Sequence, residues 1–459
     1  LGTTGQQGLR LYTYDTSETT IYGAFSLMKP KTQLEIELAR LGADRLTREP
    51  PVDRKENHLL LGKIRLSRAS QSFESLVDTH FEQIRGGRNN AAAAALRRHL
   101  EYFFLCLSKC VMSHKYLVVS LTSNAYSKDY FLKKYNLKYA AVDAIVSYLE
   151  DAGLAFVIKG RKYRNDPMRT RIYPKPELSQ GLFEYSLLTE TDFDGDYVQF
   201  NDGADNDYGG DRLSSEKWNK LISNLGKDHP DRVDLNRINE FLEPHQWVSK
   251  GPVILKYKYS PFQSGRLYTG YQELLDKQYR IRINTEIDGE AISEVDFNAN
   301  HLRLALAVLH DEDAGDSPYE DIMELANVDR ALVKSFITVA MGASSRDKAR
   351  SSWNDNRSSR KVRRADGDFQ AIEAATNKRF PMLKLYDDWG IHAQNLEGAI
   401  LRDVMLQGVD KGIVVLPVHD AVAVQQKHEE WAIGTMLEAW SRVAASSGAA
   451  RARVKVDRP

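Results

Sequence analysis

The sequence predicts an α+β fold in which a helix-rich half precedes a half built on an antiparallel sheet. Length is the first observation, because 459 residues exceed one typical hydrophobic core and favour two or three domains. The second observation is a change of pattern, from long helical stretches before residue 180 to short strand-like runs after residue 250. The third is that two of those runs, 291–297 and 414–424, each carry an acid at a strand end or turn.

Charge is distributed unevenly along the chain. Lys+Arg and Asp+Glu both number 63, so the formal net charge is zero. Residues 109–175 nevertheless contain thirteen Lys or Arg against five Asp or Glu, whereas residues 182–211 contain nine acids and no Lys or Arg. A basic stripe beside an acidic stretch is compatible with one domain that contacts nucleic acid.

Cysteine usage and hydropathy bear on the compartment. The two cysteines, Cys106 and Cys110, lie four residues apart on an apolar helix, which predicts buried small side chains rather than a zinc site. No apolar run reaches the ~18 residues of a membrane span, and no signal peptide is evident. We therefore expect a cytoplasmic protein without a membrane partner, associated with the nucleoid if it is encoded by a bacterium or phage.

In the first half, a helix, a turn, a helix, a strand, a basic loop and a strand follow one another. The expected helices cover 91–111, 123–134 and 139–152, and the expected strands cover 154–159 and 170–173. This order resembles a winged-helix DNA-binding module, which implies that the basic loop lies on backbone phosphates. The cations concerned are Lys159, Arg161, Lys162, Arg164 and Arg169. The alternative is a solvated charged hairpin on an ordinary α+β domain.

The acidic stretch 181–212 has only a superficial likeness to a calcium-binding loop. If Asp192, Asp194 and Asp196 were its first ligands, Tyr197 would stand where Gly is needed and Gly203 where Glu is needed. We therefore predict an exposed, flexible linker between the two halves.

Two acids in the second half are candidates for metal binding. Asp296 ends one apolar run and precedes a helical pattern, and Asp420 lies in the turn between 414–418 and 421–424. Two carboxylates on adjacent strands can hold a pair of Mg2+ ions ~3.5–4 Å apart, which stabilise the attacking and leaving oxygens of a phosphoryl displacement. The alternative is that Asp420 simply forms the turn.

Between these acids, the stretch 329–342 predicts a helix with Arg330 and Lys334 on one face. Cations four residues apart on a helix have Cβ atoms ~5–6 Å apart, a spacing that suits adjacent phosphates of a triphosphate. The alternative is that both side chains face water, as paired basic residues on a helix usually do.

The three segments together closely resemble motifs A, B and C of the family A DNA polymerases and the related phage-type single-subunit RNA polymerases. Asp296-Phe-Asn-Ala-Asn-His-Leu-Arg303 stands where family A has Asp-Tyr-Ser-Gln-Ile-Glu-Leu-Arg, and Val418-His-Asp420 matches Val-His-Asp-Glu. Arg330, Lys334 and Gly342 match the Arg-x3-Lys…Tyr-Gly helix, and Ser264-Gly-Arg-Leu267 resembles the Thr-Gly-Arg-Leu that contacts the primer-template. The resemblance covers roughly 257–424 and implies a right-hand polymerase palm with an antiparallel sheet and helical fingers.

The resemblance implies a chemical role for each motif. Asp296 and Asp420 would bind two Mg2+ ions, with Mn2+ as a substitute and the Phe297 carbonyl as a further ligand. Arg330 and Lys334 would hold the incoming triphosphate and neutralise charge on the leaving pyrophosphate.

Further residues are assigned by position in the same motifs. Arg266 would contact the nascent duplex, and Tyr319 would either face the nucleotide or lie in the core. His301 replaces the motif A Glu that excludes the ribose 2′-hydroxyl, and Met341 replaces the motif B Tyr, so both are expected near the nucleotide. We hypothesise weakened or differently built sugar discrimination, and a preference above ~1,000-fold, about 4 kcal/mol, would argue against it.

Two other departures concern acids. Ala421 replaces a secondary carboxylate of motif C, and Glu397 replaces the Gln that reads the minor groove. An acid near a polyanion requires a neighbouring cation or metal, for which Arg402 is a candidate.

We predict template-dependent nucleotidyl transfer on a DNA primer-template from nucleoside triphosphates, by a DNA polymerase without proofreading that acts in replication, repair or lesion bypass. One alternative is a primase or RNA polymerase-like enzyme with relaxed sugar selection. Another is a non-catalytic DNA-binding replication protein with a degenerate palm. The expected segments are a helical region 1–115, a winged-helix-like module 116–180, the linker 181–212, a first palm part with thumb-like helices 213–300, fingers 301–395, and a second palm part with a C-terminal helix 396–459.

Overall fold

The computed structural model describes residues 33–50, 58–61, 71–128, 132, 136–163, 166–188, 196–201, 226, 228–258, 260–274, 279–355, 365–444 and 450–459. Within these ranges the protein is a mixed α+β molecule, as the sequence predicts. The chain divides into two compact units, Leu1–Leu187 and Leu188–Pro459.

Helices make up most of the described part of the first unit. They are α1 (Gln33–Thr47), α2 (Gln71–Arg85), α3 (Asn90–Ser113), α4 (Ser123–Lys128), α5 (Tyr139–Asp151) and α6 (Pro176–Leu188). The amide of Ala92 donates to the side chain of Asn89 at 2.9 Å, which caps the alanine-rich start of α3. This helix ends where His114 adopts the left-handed conformation with φ 54°.

A small sheet lies among these helices. Its strands are β1 (His58–Leu60), β2 (Tyr116–Val119), β3 (Ala155–Ile158) and β6 (Thr170–Pro174), and a separate hairpin is formed by β4 (Arg161–Tyr163) and β5 (Asp166–Met168). The order is β1-β2-β6-β3, with β1 parallel to β2 and the other pairs antiparallel. The strands expected on either side of the basic loop therefore pair with each other, and the loop itself forms the β4–β5 hairpin.

The helix expected over 123–134 is described as α4 over Ser123–Lys128. Residues 129–131 and 133–135 of the expected range lie outside the described residues. The helix expected over 139–152 is confirmed as α5, and Gly153 follows it with φ +68°, a conformation that glycine adopts without a Cβ penalty.

The prediction that 181–212 is an exposed linker is wrong for two of its parts. Residues 181–188 belong to α6, where Leu182 and Phe183 are almost fully buried, and Val198–Asn201 forms strand β7. The acidic composition hid these elements because their apolar side chains, rather than the acids between them, determine the packing. The remaining residues, 189–195 and 202–212, lie outside the described ranges, as do residues 213–225 of the segment expected to begin the palm.

The second unit contains two sheets. Its strands are β7, β8 (Ile254–Lys258), β9 (Ser260–Tyr268), β10 (Glu286–Ile287), β11 (Glu290–Phe297), β12 (Leu416–Val418), β13 (Ala421–Gln425) and β14 (Val454–Asp457). One sheet has the order β7-β8-β9. The other has the order β10-β11-β13-β12, and β14 pairs with the edge of β11 that faces away from β13.

The described part of the second unit contains eight helices. They are α7 (Pro230–Leu242), α8 (Asn300–His310), α9 (Pro318–Ala326), α10 (Arg330–Gly342), α11 (Arg346–Asp355), α12 (Asp368–Arg379), α13 (Trp389–Lys411) and α14 (Glu429–Ala444). Apolar side chains of α8 to α12 form one continuous core that includes Phe336, Trp353 and Phe369. None of the helices that the structure describes is both long and apolar enough to cross a membrane.

Helix α13 packs directly on strand β9, and two glycines allow it. Gly265 in β9 has φ +68°, and a Cβ built on Gly398 of α13 would lie 1.8 Å from the carbonyl oxygen of Gly265. A side chain at either position would therefore collide with the other element. This close approach brings Arg266 and Glu397, the neighbours of the two glycines, to the same place.

Candidate functional site

The two candidate acids lie at one end of the sheet, Asp296 near the end of β11 and Asp420 in the turn between β12 and β13. Asp296 of β11 is opposite Ala421 of β13, the residue that follows Asp420. The backbone amide of Phe297 donates to the carbonyl oxygen of Asp420 at 3.4 Å. His419, at the tip of the β12–β13 hairpin, has φ 56°, so the hairpin turns through a left-handed residue immediately before Asp420.

The side chain of Asp296 has one paired and one orphaned oxygen. Its Oδ2 atom forms an ion pair with Nζ of Lys455 at 2.8 Å. Its Oδ1 atom is buried and accepts no hydrogen bond from any residue that the structure describes. Burying a carboxylate oxygen without a hydrogen-bond donor costs free energy, and a bound cation would offset that cost.

Asp420 lies in an acidic environment. Burial raises the pKa of its carboxyl group from the ordinary 3.8 to about 7, and the negative charges of Glu397 and Asp296 add to that shift. Desolvation and like charge both disfavour the ionised form of Asp420, and positive charge brought to the site would favour it.

Glu397 is buried behind the acid pair and has two partners. Its Oε1 atom lies 2.9 Å from Nε of Arg266, and its Oε2 atom lies 3.1 Å from Nε2 of His301. The cation that offsets this acid is therefore Arg266, and His301 contacts the other carboxylate oxygen. Arg402, the expected partner, instead pairs with Asp231 and, at 3.4 Å, with Asp234.

Replacing Glu397 tests whether this buried pair supports the fold. We expect Glu397→Ala to lower the free energy of unfolding by about 2 kcal/mol, because it leaves the guanidinium of Arg266 unpaired beside α13. Glu438→Ala, at an exposed position of α14 with a 3.9 Å pair to Arg442, should cost less than ~0.5 kcal/mol. Urea denaturation of both variants measures the difference, and equal stabilities would show that the buried pair contributes nothing.

Tyr319 connects the acid pair with the basic helix. It is buried in the helical core, and burial together with the charge of Asp420 raises its pKa to about 12. The guanidinium of Arg330 lies over its ring, 5.5 Å from the ring centre. Arg330 also pairs with Glu320 of α9 at 2.5 Å, so two contacts hold this cation in place.

The remaining residues expected near a nucleotide divide into two environments. Lys334, one turn after Arg330 on α10, is exposed, and its carbonyl accepts a hydrogen bond from Thr338. Met341, by contrast, is almost fully buried in the core of α8 to α12. Its contact with a nucleotide stays a prediction that would require this core to open, because the closed core gives Met341 a packing role.

The cations of the first unit remain a separate set. Lys159 pairs with Glu150 of α5, and Arg169 is exposed beside β6. Arg161 and Lys162 lie in β4 of the hairpin, while Arg164 lies outside the described residues. The hairpin is thus present where a wing is expected, and contact of these side chains with phosphates stays a prediction.

The donor set fits a divalent ion that keeps part of its water shell. Among the residues that the structure describes, no group of three or more His, Cys, Asp and Glu side chains forms a closed metal site. Mg2+ commonly binds through one or two carboxylates and takes its other ligands from water and substrate phosphates. The orphaned Oδ1 of Asp296 beside the desolvated Asp420 is compatible with such a site, and the Phe297 carbonyl stays a predicted ligand.

Two features of the site are not predicted from the sequence: the ion pair of Lys455 with Asp296, and the partners of Glu397. The alternation Val454-Lys-Val-Asp457 is a signal for a strand with Lys455 on one face, but the partner strand of this segment cannot be read from the alternation. For Arg266 and Glu397, the signal in the sequence is that each stands next to a glycine. Two backbones that approach closely often need glycine on both sides.

Comparison with known proteins gives similar solved structures but no family. No protein-family model matches the chain, and no curated protein matches it. A solved structure described as the POL domain of Pol1 from M. smegmatis, in complex with DNA primer-template and dNTP, is similar with a TM-score of 0.28 and 14% sequence identity. That similarity covers 93% of this chain and 69% of the other.

Proposed function

We propose that this protein is a template-dependent nucleotidyl transferase that extends a DNA primer with nucleoside triphosphates, as a DNA polymerase without proofreading. The observation that carries the proposal is the pair formed by Asp296 on β11 and Asp420 in the turn before the neighbouring strand β13, with a buried carboxylate oxygen that lacks a donor among the described residues. The motif order along the chain supports it, because the acid of β11, the cations of α10 and the acid of the β12–β13 hairpin all belong to the second unit.

The proposed reaction joins a primer 3′-oxygen to the α-phosphorus of a nucleotide and releases pyrophosphate. Divalent ions, when bound, would lower the pKa of the primer hydroxyl and neutralise charge on the pyrophosphate. Asp296 and Asp420 would hold those ions, and their mutual repulsion would fall as positive charge arrives.

The basic helix would position the triphosphate. Arg330 lies over the ring of Tyr319 and pairs with Glu320, so its guanidinium is held in place before any substrate binds. Lys334 lies one helical turn further along the same helix and is exposed to solvent. Two cations at this spacing would neutralise charge that grows on the leaving pyrophosphate.

Sugar selection would depend on His301. Its imidazole is held by Glu397 at 3.1 Å and lies 3.5 Å from Arg266, so it is fixed rather than free to rotate. Because the imidazole is held in one orientation, it would limit the space beside the sugar. We retain a primase or RNA polymerase-like activity as the second candidate, because His301 presents no carboxylate to a 2′-hydroxyl.

Primer extension tests the proposal. A labelled primer on a DNA template with Mg2+ should be extended when dNTPs are supplied, and parallel reactions with rNTPs or without primer would identify the second candidate. Asp296→Asn should remove extension while the chain stays folded, because the amide cannot bind the ion as a carboxylate does. DNA binding without synthesis under every condition, by both proteins, would favour the non-catalytic alternative.

A further inference from the structure

The C-terminal strand brings a cation into the acid pair. Strand β14 lies along β11, with Lys455 directly opposite Asp296. Residues directly opposite each other in an antiparallel pair share one face of the sheet. The ammonium of Lys455 therefore reaches Asp296 on that face and lies 2.8 Å from Oδ2.

Asp296 has different neighbours on its two sides. Across β13 it faces Ala421, which offers no polar atom, and across β14 it faces Lys455. The row Ala421–Asp296–Lys455 thus places one negative and one positive charge beside the buried Oδ1 atom. A cation that binds Oδ2 of Asp296 must displace the ammonium group.

The ion pair between Lys455 and Asp296 can be displaced by a divalent ion. The Lys455 side chain is 69% exposed and that of Asp296 is 24% exposed, so water screens the pair. A divalent ion carries twice the charge of an ammonium group and binds carboxylate oxygens directly, so it can replace Lys455 at Oδ2. The long, flexible lysine stem allows the ammonium to move away without a change in β14.

We propose that Lys455 is a positioning residue that holds Asp296 before a divalent ion binds and gives way to that ion, thereby weakening the affinity of the acid pair for metal. The inference rests on the proposed function, since it takes Asp296 and Asp420 as metal ligands. It adds a competitor for the ion, supplied by the C-terminal strand. In the metal-bound state the released ammonium would remain at the edge of the site.

A titration with MnCl2 alone, without nucleotide or DNA, tests this role on the whole chain. Free Mn2+ is measured by electron paramagnetic resonance. We expect Lys455→Gln to lower the Kd for Mn2+ by ~10-fold, because the competing charge is removed. Lys455→Arg should stay within ~3-fold of the parent, because it keeps the charge.

A matched control is the lysine that pairs with the first residue of β11, at the end of that strand away from Asp296. Lys427 pairs with Glu290 of β11 at 2.5 Å and is about as exposed as its partner. Lys427→Gln removes an equal charge from a pair outside the acid site and should leave the Kd for Mn2+ unchanged. Thermal unfolding of each variant, measured without metal, separates altered folding from altered binding.

The outcomes distinguish this inference from the function on which it rests. Equal Mn2+ affinity of the parent and Lys455→Gln, with binding lost in Asp296→Asn, would overturn the competition while the metal site stands. Absence of Mn2+ binding in both the parent and Lys455→Gln would overturn the inference and the proposed metal site together. A tighter Kd in Lys427→Gln as large as that in Lys455→Gln would also overturn it, since the effect would then be one of net charge.

Discussion

Asp420→Asn is expected to lower the rate of primer extension by at least ~1,000-fold, about 4 kcal/mol, and at the same time to stabilise the metal-free fold. The loss of rate follows from the removal of one of two carboxylates that would hold the metal ions. The gain in stability follows from the environment of Asp420, whose burial beside Glu397 and Asp296 makes its ionised form unfavourable. A neutral amide of similar shape avoids that cost.

The stability effect has a defined pH window. The carboxyl group of Asp420 has a pKa of about 7 in the folded protein against the ordinary 3.8, so the folded state binds this proton more tightly than the unfolded state. Stability from this group is therefore fully present below about pH 4 and is lost as pH rises to about 7. Asp420→Asn should lack this loss and should therefore be more stable than the parent at pH 8 without divalent ions.

Thermal and urea unfolding from pH 4 to pH 8, in a chelating buffer, measures the difference. The matched control is Asp403→Asn, which removes a carboxylate of α13 that pairs with Arg442 at 2.7 Å on the exposed surface. That variant should neither lose extension activity nor change the pH profile of stability. Parent-like extension by Asp420→Asn would contradict its role in metal binding, and parallel pH profiles would contradict the desolvation of its carboxyl group.

Gly398→Ala is expected to destabilise the second unit by about 4 kcal/mol, a large effect for one methyl group. The new Cβ would lie 1.8 Å from the carbonyl oxygen of Gly265. The first of these atoms is fixed to the backbone of α13, and the second belongs to the backbone of β9. Neither can rotate away, so α13 must move off β9. That movement would also separate Glu397 from Arg266, because both residues adjoin the contact.

Gly434→Ala is the matched control for this substitution. Gly434 also lies in a helix, α14, but a Cβ built there meets nothing within 4 Å. Alanine should stabilise that helix by ~0.5–1 kcal/mol, because glycine loses more backbone entropy on folding. Urea denaturation followed by circular dichroism compares the two, and similar stabilities would show that α13 and β9 do not approach as closely as the structure has them.

Much of the local structure is determined by short-range patterns in the sequence. The alanine-rich start and apolar centre of α3, the stop at Gly153 and the strands on either side of the basic hairpin all follow from residues within one turn or one strand. The placement of Asp296 at a strand end and of Asp420 in a hairpin turn follows in the same way. The acidic composition of 181–212 led to the wrong prediction of an exposed linker in part of that range. A few buried apolar residues outweigh many acids in deciding whether a segment packs.

The sequence by itself thus determined an α+β chain and the candidate residues Asp296, Asp420, Arg330 and Lys334. Tertiary structure alone decided what surrounds them: Glu397 and Arg266 meet through two glycines 133 residues apart in the numbering (398 less 265), and Lys455 reaches Asp296 from the last strand. The physical reason is register. A shift of β14 by one residue would turn Lys455 to the opposite face of the sheet, and the sequence of a strand does not state which partner fixes its register.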